Sequence, residues 1–379
     1  MNRPRPFVVV TSSFPIRHDG SEAAGSFVAD LVAALAESVP VRVVAPGSEE
    51  RRDAWSPGVE VFRYAAPEQP LSTLKPWRPA DLRWILRVLG SGATMTRAAV
   101  ADDADAILAL WGLPCGEWAR RAAAARNVPY SVWLLGSDVW SLGRVPVLRG
   151  MLSRVIREAK RAYADGYQLG EDAKRLSGRP IAFLPSTREV APADASTPRA
   201  APPYRLLFLG RWHPNKGTDL LLDALALLTD ADWTRIERIE IQGGGPLDAL
   251  VRERAERLRA AGRPVEVGGF LDKPAAAAAF ARSDWLLLPS RIESIPVVFS
   301  DAMKLGRPIV SMPVGDLPRL FAERDVGVVA ADVSAAAFAD ALRTALASSA
   351  SSRVEALRAS ALPFSLRDSI VPEILAARS

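Results

Sequence analysis

Apolar positions along this chain fall into two alternating kinds of block. Short unbroken apolar runs, such as "FVVVTS" (Phe7 to Ser12), "VRVVAP", "AILALW" (Ala106 to Trp111) and "YSVWLL" (Tyr130 to Leu135), carry no polar face, and that pattern predicts strands covered on both sides. Between them run stretches with apolar residues at helical spacing, beginning with "SFVADLVAALAES" after the polar loop "FPIRHDGSEAAG". Strand, loop, helix and strand in this order is the repeating unit of a parallel α/β sheet. The short run "PIAFL" (Pro180 to Leu184) closes the first set, so residues 1–184 are expected to form one domain.

Residues 185–203, "PSTREVAPADASTPRAAPP", lose all apolar periodicity and are dominated by Pro, Ser, Thr and Ala, a linker composition. The pattern then restarts. "YRLLFLG", "IERIEIQG", "VEVGGF", "DWLLLP" and "PIVSMP" read as strands, with helical segments between them. A second domain is therefore expected over 204–360. The segment "SLRDSIVPEILAARS" predicts a terminal helix within 361–379.

Bulk composition narrows the class. The chain has 379 residues, 49% apolar and 24% charged, with no run near the roughly 18 apolar residues of a membrane span. Its opening residues read as a first strand rather than a signal peptide. The single cysteine, Cys115, excludes an internal disulfide framework and agrees with a reducing, cytoplasmic setting. Two histidines, His18 and His213, argue against a His-rich metal site. The net charge of +5 permits an anionic ligand or membrane surface without requiring one. No motif supports nucleic-acid binding.

Candidate chemistry gathers where predicted strands end. "FLGRWHPNKGTD" ends a strand at Gly210 and places Arg211 and Lys216 in the loop before a helix. Open α/β sheets bind ligands at such strand ends. A forked guanidinium and a point-charge ammonium suit a diphosphate, or else are ordinary surface charge. "IQGGGPLDAL" turns from strand to helix through Gly243 and Gly244, either for close approach of a phosphate or simply for a tight turn. In the first half, Gly25 and Ser26 open a helix, with Ser26 the expected N-cap, either a plain cap or one whose free amides seat an anion. "SRIESIPVVFSDAM" puts Glu293 just outside a helix that Pro296 begins, with Ser294 or Ile295 as N-cap and unpaired amides near Val297 and Val298. Asp301 lies about one and a half turns inside. Donors for an anion beside acceptors for hydroxyls match a sugar nucleotide, although a carboxylate at a helix start is also favoured by the dipole alone.

The four motifs "GRWHPNKG", "IQGGGP", "VEVGGFLDK" and "PSRIESIPVVFSDAMKLGRPIV", in this order over about 205–330, resemble the donor-binding half of retaining GT-B glycosyltransferases of family four. The first half resembles the family more loosely, through the loop ending in Gly25, "WGLPCGEWARRAAAARNVPYSVWLLGSDVW" and "YADGYQLGEDAKRL". The resemblance implies two facing Rossmann-like domains, with the last helix crossing back to the N-terminal one. It implies that Arg211 and Lys216 neutralise the diphosphate of a UDP- or GDP-sugar, with Gly210, Gly243 and Gly244 beside them. Glu293 would bind the transferred sugar's hydroxyls and Asp301 the ribose, with Ser294, Ile295 and Pro296 among the substrate-binding residues. Phe270 and Leu271 would read the base, and Gly25 and Ser26 would approach the phosphates. Gly136 and Asp138 stand in "GSD", where Asp138 either contacts substrate or caps the next turn. Two positions depart from the family. Asp301 replaces a glutamate, and Leu135 replaces a histidine that contacts the reacting sugar.

These expectations amount to a metal- and cofactor-independent hexosyltransferase, retaining at the anomeric carbon, in polysaccharide, glycolipid or glycosylated-metabolite synthesis. A nucleotide-sugar 2-epimerase and a non-catalytic sugar-nucleotide-binding subunit are the alternatives. The acceptor is a sugar, a lipid-linked molecule or a small molecule. Two basic stretches with interleaved apolar residues, "LKPWRPADLRWILRVL" and "GRVPVLRGMLSRVIREAKRAY", fit either peripheral contact with an anionic membrane or helices with basic outer faces packed on a sheet.

Overall fold

Strands as apolar as Phe7–Val10 are stable only inside a sheet with a layer on each face. The computed structural model, which describes residues 4–17, 25–69, 74–190 and 197–378, provides this twice. The first unit comprises residues 1–186 and 366–379, and the second residues 187–365.

In the first unit the order is β1 (Phe7–Val10), α1 (Ser26–Ala36), β2 (Val41–Gly47), β3 (Arg51–Ser56), β4 (Val59–Ala65), α2 (Pro79–Val100), β5 (Ala106–Leu110), α3 (Glu117–Arg126), β6 (Tyr130–Leu134), α4 (Ser137–Trp140), α5 (Pro146–Glu158), β7 (Arg161–Ala164), α6 (Tyr167–Ser177) and β8 (Ala182–Phe183). The strands lie in the order β3-β4-β2-β1-β5-β6-β7-β8, all parallel except β3, which runs antiparallel to β4. The two-residue period of a strand divides the core: Val8 and Val10 pack with Trp118 and Leu152, and Phe7 and Val9 with Leu31 and Leu35.

The second unit runs β9 (Tyr204–Arg211), α7 (Thr218–Ala226), α8 (Asp230–Trp233), β10 (Ile236–Gly244), α9 (Asp248–Ala260), β11 (Val265–Gly268), α10 (Lys273–Ala281), β12 (Trp285–Leu288), α11 (Val297–Lys304), β13 (Ile309–Ser311), α12 (Leu317–Glu323), β14 (Gly327–Val329), α13 (Ala335–Leu346) and α14 (Val354–Ser360). Its six strands are parallel, in the order β11-β10-β9-β12-β13-β14. Each sheet thus reverses its direction of growth beside its first strand, between β1 and β5 and between β9 and β12. A crevice forms outside the carboxyl ends of the strands at such a point.

The terminal helix α15 (Val371–Ala376) joins the first unit, where Ile370 and Ile374 share the apolar cluster of Val9. The Tyr163 hydroxyl bonds the Glu373 carboxylate at 3.3 Å, and Arg378 pairs with Asp105 at 2.5 Å. The expected terminal segment of 361–379 is shorter than its composition indicates. Residues up to Ser365 stay with the second unit, where the Phe364 ring packs on Phe299.

Four strands are absent from the predicted set. β3 is an edge strand with mostly exposed side chains, β4 carries Arg63, β7 opens with Arg161 inside a stretch that reads as amphipathic helix, and β14 is an edge run of only three residues. Arg63 is fully buried yet compensated. It donates to the carbonyls of Pro15 (2.7 Å) and Pro46 (3.1 Å), reaches Asp53 at 3.4 Å, and lies over the rings of Phe14 and Trp55.

The described part of 185–203 is not a free spacer. Thr187 bonds Ser300 at 3.0 Å, and Lys304 donates to both Thr187 and the Arg188 carbonyl at 2.7 Å. Further on, Asp284, fully buried, accepts from the amides of Arg199 (3.0 Å) and Arg205 (2.8 Å) and from the Arg205 guanidinium. Local polarity hides this because the partners lie about a hundred residues away in sequence. Burial pushes the Asp284 carboxyl up, but the bonds from Arg205 and the two amides outweigh it and hold it below the usual range. Its contribution to stability is therefore complete above the unfolded value of about 3.9 and lost as pH falls through the lower folded value. Asp284→Ala is expected to cost about 3–5 kcal/mol, because it strands a half-buried guanidinium and two amides. Amide exchange at Arg199 and Arg205 measures it, and unchanged protection there would refute the clamp.

Candidate functional site

In the second unit the crevice lies between the loops after β9 and β12. After Arg211 the chain buries Trp212, then makes a tight turn at Pro214–Lys216 in which the His213 ring accepts from the Asn215 amide at 3.2 Å. Gly217 ends the turn with φ of 67°, and a Cβ there would lie 1.8 Å from the Pro289 carbonyl oxygen. Only glycine allows the two loops to meet. Arg291 fastens them, donating to the Pro214 carbonyl at 2.7 Å and forking onto Asp219 at 2.8 and 2.7 Å. Burial raises the Asp219 carboxyl, and the Arg291 guanidinium more than offsets this and leaves it below its ordinary value.

This juncture brings two predicted site residues into contact. The Lys216 ammonium pairs with the Glu293 carboxylate, which also accepts from the Ser290 hydroxyl at 3.0 Å. Arg211 is exposed at the end of β9, and among the described residues its guanidinium has no hydrogen-bond or ion-pair partner. Helix α11 starts one residue later than the proline rule predicts. Pro296 itself is the N-cap, with extended ψ of 137°, instead of Ser294 or Ile295. Pro296 has no N–H to place in a first turn, so the cap position suits it as well. The amides of Val297 and Val298 then lead the helix, ahead of its first internal bond. The Ser294 and Thr218 hydroxyls are buried without a partner among the described residues.

The glycine-rich turns close the floor. Gly243 has φ of 151° and its Cβ would lie 1.9 Å from the Gly210 carbonyl oxygen, while a Cβ on Gly244 would lie 2.8 Å from the Phe270 ring. Gly243 donates to the Gly269 carbonyl at 3.0 Å. Packing alone thus accounts for these two glycines. Gly210 differs, with nothing closer than 3.6 Å to an added Cβ. Phe270 presents its ring to solvent at 57% exposure, and Leu271 is half-buried.

Asp301 does not stand open as the sequence implies. It is buried, and Arg188 holds its carboxylate through an Nε–Oδ2 bond of 2.7 Å. Both line a cavity of about 350 Å³ with Lys273, Pro274, Ala277 and Phe280. Sequence reasoning also missed Gly315. Its φ is 54°, and a Cβ would lie 2.2 Å from the Glu293 carbonyl oxygen, so the loop after β13 braces the acid from behind. The tripeptide "VGD" after a strand was the available signal.

The first unit has its own crevice between the loops after β1 and β5. Gly25, not Ser26, is the N-cap of α1. It has φ of 77°, and a Cβ there would lie 2.7 Å from the Phe14 backbone. Ser26 is the first helical residue, and no side chain caps the helix. Residues 18–24, including His18, lie outside the described residues. Gly136 turns the chain after β6 with φ of 102°. Leu135 packs against the apolar cluster under that sheet face.

Asp138 turns inward. It is 1% exposed, and its carboxyl accepts from the Gly112 amide at 2.7 Å and from the Val139 amide at 3.1 Å. It pins the loop after β5 and is almost wholly withdrawn from solvent, which favours the turn-holding alternative. Burial raises its pKa despite those amide bonds. Its stabilisation is then full below the unfolded value of about 3.9 and falls as pH rises through the higher folded value. Asp138→Asn should abolish that pH dependence at small cost, whereas Asp138→Ala, which orphans the Gly112 amide, should cost about 1–3 kcal/mol. Denaturation midpoints measured from about pH 4 to about pH 8 separate the two variants, and equal losses would refute the assignment.

Comparison with known proteins follows this geometry. Residues 203–348 match the family model described as glycosyl transferases group 1. The D-inositol 3-phosphate glycosyltransferase of Corynebacterium glutamicum (strain R) is 36% identical over 146 residues, which are 37% of this chain and 34% of that protein. The putative teichuronic acid biosynthesis glycosyltransferase TuaC of Bacillus subtilis is 25% identical over 263 residues, 64% of this chain and 62% of that one. The match spans about a third of the length of the inositol-phosphate relatives. Among solved structures, an α,α-trehalose-phosphate synthase from Burkholderia vietnamiensis superposes with a TM-score of 0.76 at 15% identity, covering 100% of this chain and 99% of that one. Anabaena HepE in complex with UDP-glucose gives 0.66 at 15% identity, covering 98% and 100%. Residues 203–348 are thus similar to the group 1 glycosyl transferases, and the two sheets of the chain have the GT-B fold.

Proposed function

We propose that this chain transfers a hexose-type sugar from a nucleoside diphosphate donor to a hydroxyl acceptor, with retention at the anomeric carbon. The observation that carries the reading is the Lys216–Glu293 pair at the reversal point of the second sheet, beside the leading amides of α11. Anabaena HepE, solved with UDP-glucose, supports a nucleotide sugar as the donor class, with UDP- and GDP-sugars as the candidates.

Each residue has a role that follows from its charge and freedom. A leaving diphosphate gains negative charge as the glycosidic bond breaks. Arg211, unpaired and forked, takes two of its oxygens, and Lys216 swings between Glu293 and the phosphate on its flexible stem. The amides of Val297 and Val298 add donors that need no reorganisation. Glu293, braced by Ser290 and by the Gly315 loop, accepts hydroxyls of the donor sugar and fixes its orientation. The departing phosphate takes the acceptor's proton.

Asp301 binds the ribose by sharing its carboxylate with Arg188, which offsets the charge while hydroxyls approach from the 350 Å³ cavity. The Phe270 ring and the backbone near Leu271 meet the base.

Arg211→Ala and Lys216→Ala should each lower turnover by about a hundredfold or more, read as nucleoside diphosphate release from UDP-glucose and GDP-mannose across an acceptor panel. Near-normal turnover in both variants defeats the proposal, and donor conversion without any acceptor would indicate an epimerase. Asp301→Ala should weaken UDP binding about tenfold by calorimetry with smaller change in turnover at saturation. Unaltered UDP affinity would remove Asp301 from the ribose site.

A further inference from the structure

Half of the twelve large hydrophobic side chains that stand exposed among the described residues fall in two short segments of the first unit: Trp77, Leu82, Leu86 and Leu89 near or in the first turns of α2, and Val145 and Val147 at the start of α5. Leu82, Leu86 and Leu89 recur at i, i+4 and i+7, so they form one stripe. The face that α2 buries is elsewhere, at Val88, Ser91, Gly92 and Met95. Arg83 and Arg87 are exposed alongside the stripe, with Lys75 and Arg78 ahead of it. Five cations face one carboxylate, Asp81, between residues 74 and 100.

Topology brings the two segments to one edge. α2 ends at Val100, just before β5 begins at Ala106, and α5 ends at Glu158, just before β7 begins at Arg161. Both helices therefore finish at the amino edge of the parallel sheet and start at its carboxyl edge, with α3 between them.

Beside Val145 and Val147 lies an open pocket of about 270 Å³, lined by Trp140, Arg144, Arg149, Asp172, Arg175 and Leu176. The Asp172 carboxylate is already engaged, by the Trp140 ring N–H at 2.8 Å, by Gln168 at 3.1 Å and by Arg175. Arg144 and Arg149 are exposed, and their guanidinium groups have no hydrogen-bond or ion-pair partner among the described residues. Two uncommitted guanidiniums around a pocket suit a phosphate group. Apolar side chains at the rim suit the hydrocarbon that a lipid phosphate carries. A soluble phosphate has no use for them.

We infer that the carboxyl edge of the first unit docks on an anionic phospholipid bilayer. A headgroup phosphate enters the Arg144–Arg149 pocket, Val145 and Val147 enter the acyl boundary beside it, and the Trp77–Leu82–Leu86–Leu89 stripe enters in parallel with its arginines on the headgroups. If the proposed sugar transfer holds, a first unit seated on the membrane in this way suits an acceptor borne on lipid. Among the described residues no helix is long and apolar enough to cross a membrane, so the contact is peripheral.

The full chain should sediment with vesicles of phosphatidylcholine containing about three-tenths phosphatidylglycerol, and not with phosphatidylcholine alone. Binding should fall as salt rises. Arg144→Ala with Arg149→Ala should weaken it at least tenfold and flatten the salt dependence. Leu82→Ser with Leu86→Ser, and Val145→Ser with Val147→Ser, should each weaken it several-fold without changing the salt dependence. All of these positions are at the surface, so unchanged thermal unfolding certifies each variant. Failure of the wild type to bind anionic vesicles at low salt overturns the proposal. So does calorimetric binding of inorganic phosphate by the pocket without vesicle binding, which would indicate a soluble ligand. A self-association that the leucine variants abolish, with vesicle binding intact, would assign the stripe to a second copy and equally overturn it. The readout is binding, so the result is independent of whether the chain transfers sugar.

Discussion

The second unit turns on a contact that leaves no room for a side chain. The Gly217 α-carbon sits against the Pro289 carbonyl, and Arg291 bolts the two loops together through Pro214 and Asp219. Everything chemical nearby inherits its position from this. Lys216 precedes the glycine, Glu293 follows the arginine by two residues, and their meeting requires the loops to be no farther apart. The same logic extends backward, since Gly315 lets the loop after β13 close on Glu293 from the other side. Three loops from three neighbouring strands thus converge with almost no slack, which is the condition for holding a reactive geometry to within fractions of an ångström.

Much of this was legible in sequence because parallel sheets are locally simple. Buried strands such as β1, β5 and β12 are unbroken apolar runs, and the helices between them keep their period. The elements that escaped were those where a charge interrupts the run and its compensation is remote. Arg63 is neutral to the eye of periodicity only when Pro15, Pro46 and Asp53 are known to surround it. The same holds for Arg199 and Asp284, whose polar neighbourhood reads as linker until the two are brought together.

The candidate site divides along similar lines. Glycines, cations and acids at strand ends were visible as residue types, and Lys216 and Glu293 proved adjacent. Burial state was not visible. Asp138 and Asp301 are both carboxylates at the ends of strands or starts of helices, but one is sealed under the Gly112 amide and the other is held by Arg188. No local signal distinguishes an acid offered to a ligand from one used up by the protein, because the deciding partner lies 26 residues away in one case and 113 in the other.

The chain passes from the first unit to the second near Thr187 and returns near Leu366, so the first unit is assembled from both ends of the polypeptide. The returning segment fills the apolar cluster of Val9 and Val43 with Leu366, Ile370 and Ile374. An exchange of units between related chains by a single recombination event would therefore leave one sheet lined by a foreign terminal helix. Modular inheritance of either unit in this architecture needs two coordinated junctions, or a terminal segment tolerant enough to fit more than one host.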